Sequence, residues 1–288
     1  MHYLASEAGL YPDRITRCGR HHRNSGELAS ARDEPCEAIG QSALCRSNLR
    51  QQGIGLAMYV NDFRAYPLYT TGYPLETIKF WMQFLEPYVG NKWPEDYVPS
   101  ADASKKPGKG VFACPSYSRI GGVYYHPELT KGSPGGNGAY AYNGSDFFGG
   151  WGTLGFGAGA GIQLRAVGEN EVMNPSRMIS IGDAAIDGRF AEPRFSGGPT
   201  ESDLTGITAA PWFWHLSMAK FSASLHGADQ SLNVQDKAML QRHGGRWNQL
   251  FCDGHVENGN LEKFFDYRKD EVLKLWNRDN LPHREQLQ

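Results

Sequence analysis

The side chains of this 288-residue sequence that are best suited to chemistry lie near its C-terminus. The candidates there are four histidines and one acid: His215, His226, His243, His255 and Asp253. Imidazole and carboxylate groups are usual ligands of catalytic zinc, so a metal hydrolase that uses His215, His226, His243 and Asp253 is one hypothesis. The pattern lacks the H-E-x-x-H spacing that places two ligands on one helix. An extended strand from His243 to Asp253 spans about 33 Å, so these two residues approach only if Gly244-Gly245 turns the chain back.

The candidate nucleophiles and acid pairs give weaker patterns. The sequence has no G-x-S-x-G segment, the turn that exposes a serine nucleophile in many hydrolases. Cys252 falls within a predicted strand, where a thiol behaves as a small packing side chain. Asp62 and Asp183 are a candidate carboxylate pair, although Asp62 also fits the end of a helix. We therefore predict that the protein is not an enzyme and holds no cofactor.

The composition excludes several classes of protein. Lysine and arginine number 29 against 31 acids, and the net charge of −2 argues against nucleic-acid binding through bulk charge. Hydrophobic residues at 40% and aromatic residues at 12% exclude a disordered chain. The sequence has no apolar run long enough to span a membrane. The five cysteines include no C-x2-C pair, which argues against a structural zinc site made of thiolates.

Two helices are predicted in the first third of the chain. Residues 1–36 show no apolar period and predict a disordered or atypical leader before a domain that covers 37–285. Apolar spacings of 4, 3, 4 and 3 then predict an amphipathic helix from about Glu37, with this stripe: Leu49, Gly53, Leu56, Val60 and Phe63. Asn61-Asp62 and the following Pro67 mark its end. A second helix, Leu75–Val89 with Gly90 as its cap, is predicted from one apolar side: Ile78, Trp81, Met82, Leu85, Tyr88 and Val89.

Loops and strands are predicted after the helices. Val111–Pro115 is predicted to be a short strand that ends at its proline. Residues 132–161, with seven glycines between 149 and 161, predict a flexible surface insertion. This insertion is not a phosphate loop, because no predicted strand precedes it and no predicted helix follows it. Ile179–Asp183 predicts a strand, and Pro211–His215 predicts an aromatic cluster packed on the sheet.

The strongest local pattern is Asp253-Gly254, which predicts a β-hairpin. A two-residue turn with positive φ at both residues places Phe251 opposite Val256 and Leu250 opposite Glu257. Apolar side chains occur on both faces of the first strand, so we expect both faces to be covered. Helices followed by antiparallel strands predict the α+β class.

Several segments, in chain order over residues 45–285, resemble motifs of the prepilin-type, processing-associated H-x9-DG family. His243 and Asp253-Gly254 have the H-x9-DG spacing that names the family. The other matching segments are Cys45-Arg-Ser-Asn48-Leu49-Arg-Gln51, Tyr59-Val-Asn61-Asp62, Tyr66-Pro67, Cys114-Pro115-Ser116, Tyr142-Asn143, Asn174-Pro175-Ser176, Gly182-Asp183 and Trp276-Asn277-Arg278-Asp279 through Pro282-His283. Several ordered motifs are far more specific than one short pattern.

The resemblance implies a pseudopilin-like subunit of a type II secretion or type IV pilus-like system in the cell envelope. Its fold would be an N-terminal helix laid on an antiparallel sheet, with large loop insertions. Its partners would be other pilin-like subunits or secretion-system components. The family's apolar N-terminal segment, which a prepilin peptidase cleaves, has no counterpart in residues 1–44. This departure implies either a misassigned start or a soluble paralogue.

The resemblance also implies roles for single residues. Cys45 and Cys114 both belong to motifs, and in an oxidising envelope a disulfide between them would join the helix to the sheet. Three motifs also have structural interpretations: Asp253-Gly254 as a turn, Asn61-Asp62 as a helix terminus and Pro115 as a strand end. Some pseudopilins bind calcium in a loop, and the candidate oxygen ligands here are Asp183, Asp253 and Glu257.

A soluble envelope module that binds a glycan or a peptide is the alternative from another functional class. It would use the aromatic side chains of the 139–161 region: Tyr140, Tyr142, Phe147, Phe148, Trp151 and Phe156. Rings beside glycines suit stacking on sugars, and they suit packing within a loop equally well.

Overall fold

Helices and one antiparallel sheet make up the structure, a computed structural model that describes residues 34–68, 79, 81–92, 110–119, 139–143, 154, 165–183, 240–266 and 268–284. The helices are α1 Glu34–Phe63, α2 Trp81–Val89, α3 Pro115–Arg119, α4 Leu261–Phe265 and α5 Asp270–Leu273. The strands are β1 Tyr140–Tyr142, β2 Ile179–Asp183, β3 Trp247–Phe251 and β4 Val256–Gly259. Short 3-10 turns are Gly110–Phe112, Glu169–Glu171, Pro175–Arg177, Arg242–Gly244 and Lys274–Trp276. The predicted α+β class is confirmed.

Helix α1 follows the predicted apolar spacing and buries one side against the sheet. Leu49, Leu56 and Val60 are buried on that side. Gly53 lets the helix approach β3 closely, since a Cβ atom at this position would lie 2.7 Å from Cδ1 of Leu250. No helix in the described part of the chain combines the length and the apolar character needed to cross a bilayer.

The end of α1 differs in detail from the prediction. The helix ends at Phe63 because Arg64 adopts a left-handed φ of 54° and donates its N–H to the Val60 carbonyl at 2.7 Å. Phe63 was predicted to be on the buried stripe, yet it is 61% exposed. Phe63 is the last residue of the helix. Its ring lies outside the core and packs on Tyr59, with 4.5 Å between ring centroids.

Helix α2 is shorter than predicted. It begins at Trp81, and Lys79 is already outside it, so the predicted start at Leu75 is wrong. A helix of this length depends on tertiary packing more than on propensity, and its first apolar residues are those that reach the core: Trp81, Met82 and Leu85. The predicted Gly90 cap is confirmed, with φ of 65° and an N–H bond to the Glu86 carbonyl at 3.1 Å.

The four strands pair antiparallel in the order β1-β2-β3-β4, with helical segments on both faces. On one face, Trp81 of α2 stacks on Tyr142 of β1 with ring centroids 5.5 Å apart. On the other face, Phe265 packs against Trp247 of β3 at 5.4 Å and against Trp276 at 5.5 Å. Every residue of β2 and β3 is buried, so the prediction of a first hairpin strand covered on both sides is confirmed.

The predicted hairpin register is wrong by one residue. Leu250 pairs with Val256, and Gln249 pairs with Glu257. The loop holds three residues because only Gly254 takes a positive φ, 91°. A three-residue loop with its last residue left-handed replaces the predicted two-residue turn.

The segment before α3 is not the predicted strand. Val111 and Phe112 lie in a 3-10 turn, and Pro115 is the first residue of α3 rather than the end of a strand. Proline suits that position, because its missing N–H has no partner in the first helical turn and its φ already fits a helix.

Part of the predicted Gly-rich insertion forms strand β1. Tyr140 and Tyr142 are 2% and 0% exposed, and their hydroxyls donate to the carbonyls of Cys45 and Pro67. These two rings are therefore core residues and offer no surface to a sugar, contrary to the glycan-binding hypothesis. Its other four aromatic residues, and Pro211–His215, lie outside the described residues.

Candidate functional site

A buried ionic group lies where β2 ends, and we call four of its residues, Asp183, Arg242, His243 and Ser116, the Asp183 cluster. Oδ1 of Asp183 accepts a hydrogen bond from Nη2 of Arg242 at 3.1 Å. Oδ2 accepts from the backbone N–H of Asn248 at 2.7 Å and from its side-chain amide at 3.0 Å. The four cluster residues are between 0% and 5% exposed, so the carboxylate is buried.

The H-G-G sequence positions the cluster through its backbone. His243, Gly244 and Gly245 have φ values of 54°, 71° and 76°, all in the left-handed region. Glycine adopts this conformation without steric cost, and histidine is one of the side chains that tolerates it. The turn leads the chain into β3 while the side chains of Arg242 and His243 stay buried. Gly244-Gly245 does turn the chain, but the turn brings His243 to Asp183 rather than to Asp253.

The His243 ring lies between three motif residues. Nδ1 is 3.1 Å from Oγ of Ser116. Nε2 is 3.6 Å from Sγ of Cys114 and 3.4 Å from Oδ2 of Asp183. The ring therefore joins the segment before α3, the end of β2 and the turn before β3. Serine, histidine and aspartate occur here together, and all three side chains are buried.

Cys45 and Cys114 form a disulfide, the pairing that the resemblance implied, with their Cα atoms 5.4 Å apart. The bond ties α1 to the segment before α3 and closes a chain separation of 69 residues. Both cysteines are completely buried. A third cysteine, Cys252, begins the hairpin loop just after β3, and burial raises the pKa of its thiol well above the ordinary value.

The electrostatics of Asp183 are set by two opposing effects. Burial raises its pKa, but the Arg242 guanidinium, the His243 ring and the Asn248 N–H outweigh that effect, so the pKa lies below the ordinary 3.8. Arg242 also donates to the Ala139 carbonyl at 3.0 Å and lies over the Tyr117 ring at 5.1 Å. The carboxylate is therefore a buried anion held by a fixed set of donors.

Three buried side-chain amides hold the surrounding segments in place. Asn48 and Gln52 of α1 donate to the carbonyls of Ala113 and Val111, both at 2.7 Å. Asn143 donates to the carbonyls of Ile179 at 2.8 Å and Trp276 at 3.0 Å. These amides supply the hydrogen bonds that a strand partner would otherwise give. The matched motif residue Gln51 is exposed, and its neighbour Gln52 has this role instead.

A second group of titratable residues lies at the hairpin, and we call Asp253, His255 and Glu257 the turn cluster. Nδ1 of His255 is 2.5 Å from Oδ1 of Asp253, and its Nε2 is 3.7 Å from Glu257. All three side chains are more than one-third exposed.

The three candidate calcium ligands do not form one site. Asp183 lies beside Asn248, whereas Asp253 lies five residues further along, where its N–H donates to the Pro175 carbonyl at 3.2 Å. Five residues of extended chain, from Asn248 to Asp253, span roughly 16 Å, so the two acids lie towards opposite ends of β3. Asp183 also has both oxygens engaged by donors. The structure therefore does not bring Asp183 together with Asp253 and Glu257.

The remaining candidate residues have separate structural positions. Leu49 is buried in the core, and Asn61 and Asp62 are exposed in the last turn of α1. Asp62 accepts a hydrogen bond from the Tyr88 hydroxyl at 2.8 Å, so it is not paired with Asp183. Gly254 ends the hairpin loop. His215 and His226 lie outside the described residues, and His243 and Asp253 do not converge as the hydrolase hypothesis requires.

Sequence reasoning missed Arg242, Ser116 and Asn248 as members of this site. Ser116 had a signal, because it stands in the matched Cys114-Pro115-Ser116 segment. Arg242 and Asn248 had none, since a charged or amide residue near a turn is ordinarily a solvated one.

Comparisons with protein-family models, curated proteins and solved structures find no match for this chain.

Proposed function

We propose that the protein is a non-enzymatic, pseudopilin-like subunit that acts in the cell envelope by assembling with other pilin-like subunits of a type II secretion or type IV pilus-like system. The observation that carries the proposal is a set of large apolar side chains exposed on the outer side of α1, which no described segment covers. Ile54 and Met58, four residues apart and so on the same side, are 62% and 48% exposed. Leu44, nearer the N-terminus of the helix, is 50% exposed. Polar Ser47 and Gln51 are exposed on the same side.

A long helix that buries one side and exposes large apolar side chains on the other favours packing between subunits. One side packs on the protein's own sheet, and the other is available to an apolar helix of a second subunit. The burial of the motif residues supports a non-enzymatic role, because His243, Asp183 and Ser116 are engaged in interactions within the fold. The disulfide fits an oxidising compartment such as the envelope.

Photo-crosslinking of the full chain in its own host tests this proposal. A photoreactive residue at Met58 should give adducts with a second copy or another pilin-like subunit in the envelope fraction. The matched control is the same residue at Met173, a methionine that is 71% exposed and lies outside α1, which should give few adducts. Equal crosslinking from both positions, or a folded chain that gives no subunit adduct from Met58, would contradict the proposal.

A further inference from the structure

We propose that reduction of the Cys45–Cys114 disulfide creates a site for one zinc-like ion, held by Sγ of Cys45, Sγ of Cys114 and Nε2 of His243. These three atoms lie within 4.8 Å of one another, and all three residues are buried. Two thiolates and an imidazole are ligands that zinc prefers. The inference is independent of the pseudopilin proposal, because it rests on the interior of the fold and not on the outer side of α1.

A directed chain of hydrogen bonds holds Nδ1 of His243 and turns Nε2 towards Sγ of Cys114. The Gln41 amide donates to Glu37 at 2.7 Å, so its oxygen faces Ser116 and accepts the Ser116 hydroxyl at 2.9 Å. The hydroxyl oxygen, having given its proton to Gln41, accepts from Nδ1–H of His243 at 3.1 Å. Metal-bound histidines ordinarily use their second nitrogen in this way, which fixes the ring and its tautomer.

The distance from Nε2 to one sulphur already matches a tetrahedral zinc site. With usual zinc bond lengths, a sulphur and a nitrogen ligand lie about 3.6 Å apart. Nε2 is 3.6 Å from Sγ of Cys114. The site also needs separation of the two sulphurs to about 3.8 Å.

The chemistry needs a reductant, and a dithiol is sufficient. It transfers two electrons and two protons to the disulfide, which breaks the S–S bond, gives two cysteine thiols and leaves the dithiol as its own disulfide. Binding of a divalent ion then releases one proton from each thiol, together with any proton on Nε2. The bound ion joins α1 to the segment before α3, the same two segments that the disulfide joins.

Metal binding to the full chain, oxidised or reduced under anaerobic conditions, tests the inference. After chelator washing and removal of the chelator, the reduced chain should retain one equivalent of added zinc, and the oxidised chain should retain much less. Cobalt(II) in place of zinc should give the intense thiolate-to-cobalt absorption only in the reduced chain. Equal zinc retention in both states, or cobalt binding without that absorption, would overturn the proposal.

Variants identify the ligands. His243→Asn and Cys45→Ser should each remove most of the bound zinc, whereas the matched controls His255→Asn and Cys252→Ser should retain it. Near-ultraviolet circular dichroism reports whether the reduced chain keeps its fold. If metal-free reduction unfolds it, zinc should restore the native spectrum, and a reduced chain that zinc cannot refold would refute the inference. Controls that lose zinc as readily as His243→Asn would do so too.

Discussion

The Asp183 cluster and the turn cluster contain the same residue types in opposite surroundings. Each pairs an aspartate with a histidine, and they contain the two ends of the H-x9-DG segment. Asp183 and His243 are buried side chains 3.4 Å apart, whereas Asp253 and His255 are 2.5 Å apart with more than one-third of each side chain exposed. Water and salt screen the exposed Asp253–His255 pair. We therefore expect this pair to interact more weakly than the buried Asp183–His243 pair, although its distance is shorter.

The comparison shows that the two ends of the H-x9-DG segment have separate roles. Its histidine joins three distant segments inside the fold, and its Asp-Gly end shapes a surface loop. The Asp253 carboxylate accepts the N–H of His255 at 3.1 Å, a local turn contact. The fixed spacing of the H-x9-DG motif therefore does not place its histidine and its Asp-Gly pair in one site, because β3 lies between them.

Replacement of the two acids by their amides should give the largest difference. Asp183→Asn leaves the Arg242 guanidinium buried without its carboxylate, and we expect a loss of about 3–5 kcal/mol in the free energy of unfolding. Asp253→Asn keeps the turn contact and removes only an exposed pair, with an expected loss below about 1 kcal/mol. Urea unfolding of the oxidised protein measures both. Similar losses for the two variants would contradict the distinction between the clusters.

The stability that Asp183 contributes should depend on acidic pH. Its folded pKa lies below the ordinary 3.8, so the unfolded chain takes up protons first as the pH falls. The contribution is therefore complete above about pH 4 and is lost as the pH falls through the folded pKa. The difference in unfolding free energy between the native chain and Asp183→Asn should shrink only below that pH. A difference that has already vanished at pH 6 would show that another group controls it.

Removal of the disulfide should have the next largest effect. The double variant Cys45→Ser, Cys114→Ser should lose about 2–4 kcal/mol in the presence of a chelator, because the unfolded chain regains the freedom of a long loop. Cys252→Ala serves as the matched control, since this thiol is free. Guanidinium unfolding without reductant gives the comparison. An unchanged midpoint in the double variant would mean that packing alone holds the two segments together.

Two glycines of α1 allow the same comparison between a buried position and an exposed one. A Cβ on Gly53 meets Leu250 at 2.7 Å, so Gly53→Ala should cost about 1–3 kcal/mol through overpacking. Gly40 has nothing within 4 Å of its Cβ position, so Gly40→Ala should stabilise the helix by about 0.5–1 kcal/mol. Thermal unfolding of both variants tests the opposite signs. Stabilisation by both would show that β3 does not approach α1 at Gly53.

The hairpin and the segment before α3 show where local patterns failed. Asp253-Gly254 predicted the place of the hairpin but not its register, because the number of loop residues depends on which of them take positive φ. Val111–Pro115 has the composition of a strand, yet Asn48 and Gln52 of α1 supply hydrogen bonds to its carbonyls. The residues next to this segment in sequence do not show that α1, far away in sequence, supplies its hydrogen-bond donors.

The sequence by itself determined the elements whose cause is local. The apolar period determined α1, and Asp253-Gly254 determined the place of the hairpin that follows β3. Tertiary structure alone decided the Asp183 cluster, since Asp183 and Arg242 are 59 residues apart and Ser116 lies 127 residues from His243. The physical reason is desolvation. An ion pair or hydrogen bond between residues far apart in sequence becomes strong only when the fold packs around it and excludes water from all of its members.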